Sequence, residues 1–249
     1  MRSLVLVLGL FLLSLPWLTT IALSLQPRDI IAFPSDGISG RWYGELIQDA
    51  RWSRALGNTL IIAMIAVITA MSAGVSLAWS RRTRPILPAI IAQSYDISLG
   101  IPAIILGMAL LPVVNFALGG SRLLSVGLVH GLMGVPIIYR LTDSALSSID
   151  PQLEPAARGL GATSWDIARH LWLPLIGPAV MVGAALVFVL SINEFIIVLL
   201  LTDVETQPIA RLIWVQMRYA VSPTAAAAST ILLLIAAIVV MTTLRRSPR

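Results

Sequence analysis

Two carboxylates interrupt apolar stretches of this chain, and they are the residues best placed to do chemistry. Glu194 stands in SINEF beside Asn193, and Asp96 stands in AQSYDIS. A charged side chain at the bilayer centre costs about 2.5–3.5 kcal/mol on insertion scales, so such groups face a water-filled path, a partner helix or an interface. Glu194 with Asn193 therefore has two readings: contact with a cationic or polyhydroxy solute on a translocation pathway, or a hydrogen-bonded structural contact between subunits. Asp96 lies nearer a helix start and reads first as structural, with the pathway as its other role. His130 and His170 are far apart and show no metal-ligand spacing. His130, beside Gly131, reads as a packing or hydrogen-bonding residue, and His170 as part of a loop. Cysteine is absent, which removes disulfides, thiol nucleophiles and thiolate metal sites. No GxxxxGK(S/T) phosphate loop is present to cradle ATP, and no HExxH or GxSxG sequence accompanies Asp96 to make a protease.

The elements that must position these residues are membrane spans. Of 249 residues 57% are hydrophobic and 12% charged, with a mean hydropathy of +0.90, against about 25% charge in a soluble domain. Crossing the hydrocarbon core takes about 20 apolar residues. That measure predicts six spans: Leu4–Leu25, Leu56–Trp79, Leu87–Val113, Leu123–Leu141, Leu175–Leu201 and Pro223–Leu244. Pro102 and Pro136 are expected to kink the third and fourth. A charged start, an apolar run and Ala22-Leu23-Ser24 also suit a signal peptide, but the run is long for one, and an uncleaved first helix is expected.

All the positive charge is arginine, giving a net +5. In a membrane protein this records the cationic bias of cytoplasmic loops rather than nucleic-acid binding. Arg81, Arg82, Arg84, Arg140, Arg158, Arg169 and the C-terminal arginines fall on one side, which is read as cytoplasmic with both termini. The loop from Gln26 to Ala55 carries Trp42, Tyr43 and Trp52, residues that prefer the membrane interface, so a surface-lying segment is expected there. The chain reads as a single transmembrane domain over residues 1–249.

Between the fourth and fifth spans, at about 142–174, lies a polar stretch containing EPAARGLGATSWDIARHLWLP. Asp150-Pro151 suits a helix start. Leu153, Ala156, Ala157 and Leu160 fall on one face of the short helix that would follow. Gly161 suits the left-handed residue that ends it. Thr163 or Ser164 caps a second short helix, with Asp166 near its positive end, and Leu173-Pro174 breaks that helix before the next span. Such an element either docks a partner at its small-residue face or rests on the membrane as an amphipathic hairpin.

The run resembles the signature loop of permease subunits of binding-protein-dependent ATP-binding-cassette importers: Glu-Ala-Ala, three residues, Gly, nine residues, Ile, one residue, Leu-Pro. Ala156 and Ala157 match the alanines, Gly161 the glycine, Leu171 the isoleucine and Leu173-Pro174 the closing pair. Pro155 stands where the family has Glu, with Glu154 one position earlier, a shift of about 100° around a helix. FPSDGISGRWY, LSINEFIIVLLL and VSPTAAAASTILLL are similar to the polyamine-type branch.

The resemblance implies an all-α membrane protein of type I importer fold, six transmembrane helices with a coupling-helix loop between the fourth and fifth. It implies a multi-pass chain of the bacterial inner membrane, and a non-catalytic subunit forming half of the pathway for a polyamine or another small solute, cationic or not. Glu154, Ala156, Ala157, Arg158, Gly161, Leu173 and Pro174 would meet the ATPase, and Glu194, Asn193 and Asp96 would line the pathway. The implied partners are a dimer of cytoplasmic ATP-binding subunits, a second and related permease, an external substrate-binding protein and membrane lipid, with no nucleic acid. This chain would bind no cofactor or metal of its own, ATP and Mg being used by the ATPase. An ion-coupled secondary transporter with Glu194 as proton carrier is the alternative, although no inverted repeat is visible to support it.

Overall fold

The structure, a computed structural model, describes residues 2–30, 32–34, 37–83, 86, 90–91, 100–117, 119–219 and 222–246, and these are helical almost throughout. In chain order the helices are α1 (Arg2–Ser24), α2 (Arg41–Gln48), α3 (Ala50–Thr83), α4 (Ala103–Ala117), α5 (Arg122–Ser147), α6 (Leu153–Gly159), α7 (Ser164–Asn193), α8 (Ile196–Leu201), α9 (Ile209–Tyr219) and α10 (Pro223–Arg246). Among the described residues five helices are long and apolar enough to cross a membrane: Leu6–Ser24, Ala50–Arg81, Arg122–Ser147, Ser164–Asn193 and Pro223–Arg245. Residues 87–89 and 92–99 of the expected third span, Asp96 included, lie outside the described residues. Pro102 opens α4, its carbonyl accepting from the Ile105 and Leu106 amides, a place where the missing proline N–H costs nothing; the kink expected there involves residues 92–99, which lie outside the described residues. Helix α5 runs through Pro136 without ending.

The chain packs as two compact units, Met1–Thr59 with Val204–Ala237, and Leu60–Asp203 with Ile238–Arg249. In the first, Trp42 and Trp52 are not interfacial as expected. They are 2% and 4% exposed, in a core with Leu46, Ala55, Ile209, Leu212, Ala227 and Ala228. Trp42 and Leu46 are four residues apart on α2 and share its inner face, and the Trp42 indole N–H donates to the Gln26 carbonyl. With its polar tip satisfied, the ring gains more from burial than from an interface. Asn58 donates to the carbonyls of Glu205 and Gln207, pinning the turn before α9.

The second unit is organised around α5. Small residues let its neighbours approach closely. A Cβ on Gly131 would lie 2.5 Å from Thr69 Cβ, one on Gly127 2.6 Å from Ile65 Cβ, and one on Gly134 2.8 Å from Val187. The pairs Ile65 with Gly127 and Thr69 with Gly131 advance together, so α3 and α5 run parallel. Gly134 with Val187 and Ile138 with Gly183 advance oppositely, so α5 and α7 are antiparallel. An ion pair between Arg81 and Asp143 ties α3 to α5 at one end, and one between Arg122 and Asp203 (2.8 Å) joins the start of α5 to the residues after α8.

Candidate functional site

The polar loop is built from two locked helix ends. Asp150 Oδ1 accepts from the Gln152 amide at 2.9 Å, so Asp150-Pro151 forms a turn and α6 itself begins at Leu153. Pro155 falls in the first turn of α6, where amides have no intrahelical acceptor, and it is accommodated there without loss. Glu154 Oε1 pairs with Arg158 Nη2 at 3.0 Å, one helical turn on. Gly161 ends α6 with φ +87°. The Ala162 amide donates to the Ala157 carbonyl and the Gly161 amide to that of Arg158, both at 3.0 Å. This is a Schellman closure, which needs a residue in the left-handed region at Gly161.

The next helix starts at once. Thr163 caps α7: its hydroxyl accepts from the Asp166 amide at 3.2 Å, and its own amide donates to Asp166 Oδ2 at 2.9 Å, a reciprocal capping box. The expectation that Leu173-Pro174 ends this helix is corrected: residues Ser164–Asn193 form one helix. Ile167–Trp172 is a π turn, and the Leu173 amide reaches back to the Ala168 carbonyl, five residues away. A proline inside an α-helix collides with the carbonyl four residues back; the wider π turn relieves that collision at Pro174. Ile167 and Trp172 anchor the turn inside, with Trp172 meeting Trp79 edge-on at 5.7 Å.

The outer face of the loop is apolar. Leu160 is 91% exposed and Trp165 70%, with Leu153 and Leu173 also exposed. Ala156, Arg158, Gly161 and Pro174 are open to the surface as well, whereas Ala157 turns half inward against the Trp172 core. Leu153, Ala156, Ala157 and Leu160 thus do not act as one packing face.

At the far end of α7 the chain does something the sequence reading missed. The expected fifth span, Leu175–Leu201, is not one helix: α7 stops at Asn193, Glu194 has ψ 123°, and α8 restarts at Ile196. The Glu194 side chain sustains the break. Its Oε1 accepts from the Ile196 amide at 3.0 Å and its Oε2 from the Ile197 amide at 2.9 Å, capping the positive end of α8. Asn193 Nδ2 donates to the Val189 carbonyl at 2.7 Å.

His130, from α5, lies beneath the break. Its Nδ1 is 2.9 Å from Ser191 Oγ, and its Nε2 is 3.4 Å from Glu194 Oε2. The imidazole is 2% exposed, and Nε2 has no hydrogen-bond partner. Together these residues line a cavity of about 570 Å³ whose remaining walls are mostly apolar, among them Met133, Ile137, Val187 and Leu190. Glu194 is the charged residue on that wall. The sequence singles out Glu194 and Asn193 and gives His130 a packing or hydrogen-bonding role, the second of which its contact with Ser191 fits, but does not place His130 beside Glu194. The available signal was the rule that an ionisable group inside a span has a partner, and His130 is a second polar group in an apolar stretch.

Residues 70–246 match the family described as binding-protein-dependent transport system inner membrane component, a stretch that takes in both the loop and the cavity. The chain is 27% identical over 231 residues to the putrescine transport system permease protein PotI of Escherichia coli (strain K12), covering 89% of this chain and 82% of that protein. It is 29% identical over 165 residues to the molybdenum transport system permease protein ModB of the same strain, covering 60% and 71%. Among solved structures it is similar to a chain of the bacterial alginate ABC transporter in complex with an alginate pentasaccharide-bound periplasmic protein. That likeness has a TM-score of 0.72 at 17% identity, over 97% of this chain and 92% of the other.

Proposed function

We infer the role of this chain from its family: it belongs to the binding-protein-dependent transport system inner membrane components, and it is a permease subunit of an ATP-binding-cassette importer. Its fold is that of type I importer permeases. Within that class, the chain forms half of a pathway completed by a second, related permease. A dimer of ATP-binding subunits engages the loop at Ala156, Arg158, Gly161 and the exposed Leu160 and Trp165, and an external binding protein delivers the cargo. The alginate transporter of similar fold was crystallised with its periplasmic protein, which supports that arrangement. The parallel run of α3 and α5 supports six crossings with the termini on one side, since the chain must return between them, in the region where α4 lies.

One observation carries the mechanism. Helix α7 starts at the Thr163 capping box in the loop and ends at Glu194 in the cavity, a single element of 30 residues that rises about 45 Å. A displacement of the loop by the ATPase therefore reaches the cavity through one body. The cargo is a polyamine or a similar small alkylammonium solute. Glu194 gives the cavity its negative charge, while Met133, Ile137, Val187 and Leu190 offer an apolar wall to a methylene chain. An oxyanion would meet repulsion there. Proteoliposomes holding this chain with its co-purified ATPase, second permease and binding protein are expected to take up labelled putrescine only when ATP is inside reach of the ATPase. ATP-driven uptake of molybdate or sulfate with none of putrescine would overturn the cargo assignment, and putrescine uptake without ATP would overturn the coupling.

A further inference from the structure

Backbone amides hold the Glu194 carboxylate in place. Its two oxygens accept from the Ile196 and Ile197 amides, and the Val198 amide also bonds the carboxylate. These amides open α8 and fix where the negative charge stands. His130 contributes no bond to that cap. Its Nδ1 is engaged with Ser191 Oγ, while Nε2, buried and without a hydrogen-bond partner, stands 3.4 Å from Glu194 Oε2. Neutral imidazole brings no charge to that place. The protonated ring does, and both of its nitrogens then carry a proton whichever tautomer preceded it. Around this turn of α5, α3 brings Ala66 and Thr69, α4 and α8 bring Leu106 and Ile197, and α7 brings Ser191 and Glu194. Of these neighbouring side chains only that of Glu194 carries a charge. Imidazole is the side chain that ordinarily changes charge between about pH 5 and pH 8, and His130 lines the same cavity as Glu194.

We propose that a proton on His130 competes with the ammonium group of the cargo for Glu194, so that the cavity holds a cationic cargo more weakly as the pH falls. With His130 neutral, the pair carries one negative charge, and an incoming ammonium supplies the counter-ion. Once His130 takes up a proton, the counter-ion comes from the cavity wall itself and the pair carries no net charge. The attraction felt by a second cation drops accordingly. The coupling is reciprocal: if the proton weakens cargo binding, the bound cargo must weaken proton binding and expel the proton to solvent. The inference rests on the reading of this cavity as the polyamine site.

The test is isothermal titration of putrescine into the permease–ATPase complex in detergent, without the external protein. It runs from about pH 5.5 to about pH 8, where an alkylamine stays protonated and an ordinary carboxylate ionised. Wild-type affinity is expected to fall about tenfold from the alkaline to the acid end, the factor for one charge-assisted contact. Repeating the titration in buffers of different ionisation enthalpy counts protons, and binding on the sloping part of the profile is expected to release them. His130→Asn keeps an amide nitrogen near the Nδ1 position for Ser191 but cannot titrate. It is expected to flatten the profile to within about twofold, whatever its absolute affinity. The proton count needs no variant, so it decides the matter even where His130→Asn does not fold. Wild-type affinity that ignores pH, binding without proton release, or a slope that His130→Asn leaves in place would overturn the role of His130 and leave the polyamine site standing. No saturable binding at any pH by a folded, ATP-hydrolysing wild-type complex would overturn both.

Discussion

The loop at residues 150–174 and the cavity at Glu194 lie at the two ends of α7, yet they are specified in different ways. The loop is local. The hydrogen bonds that close α6 and cap α7 join residues within five positions of one another, from Asp150 with Gln152 to Ala157 with Ala162 and Thr163 with Asp166. The cavity depends on distance in the chain: His130 and Ser191 are 61 residues apart and meet because α5 packs against α7 through Gly134 and Val187. A locally coded joint can keep its shape while the rest of the bundle moves. A site built across two helices changes whenever those helices slide.

Substitutions at the two ends should therefore fail differently. The largest effect is expected from Gly161→Trp. The left-handed backbone costs an L-residue about 1–2 kcal/mol, and the indole would cover the exposed face beside Leu160. ATP-driven uptake is expected to fall to background while the amount of inserted chain stays the same; uptake at the wild-type rate would remove the loop from the coupling path.

Glu194→Gln comes next. It removes the cavity's charge but keeps one amide oxygen to cap α8. The expected result is a rise in the transport KM of about tenfold with little loss of maximal rate, the cost of one charge-assisted contact. Unchanged KM and rate would make Glu194 a cap for α8 and nothing more. The smallest effect is expected from Thr163→Ala, which removes half of the capping box and costs about 1 kcal/mol. A small fall in melting temperature with uptake retained would show that the loop's shape is held redundantly, whereas loss of uptake would show that the start of α7 has no reserve.

The same contrast explains what could be read from the sequence. Gly161 and Thr163 carry their conformations in their residue types, and both occupy the positions their chemistry suggests. Pro174 misled because its effect depends on the helix around it: the π turn at Ile167–Trp172 relieves the clash, and the helix continues. Trp42 and Trp52 misled because interfacial preference is an average, while their burial is decided by the partners α9 and α10 bring in Ile209, Leu212 and Ala227. The break at Glu194 has no proline or glycine to announce it. It follows from a carboxylate curling back onto two amides, and hydropathy carries no trace of that.

The Schellman closure of α6 ends with the Ala162 amide and the capping box of α7 begins at Thr163, so no uncommitted residue stands between them. A mechanical engineer would call this a joint without backlash. There is no slack segment to take up the first part of a stroke, so a push on α6 and the response of α7 are the same event. The consequence, on the proposed coupling role of the loop, is one of economy: each ATPase stroke would either move the bundle or be resisted by it, and idle hydrolysis would have no compliant element in the loop through which to leak.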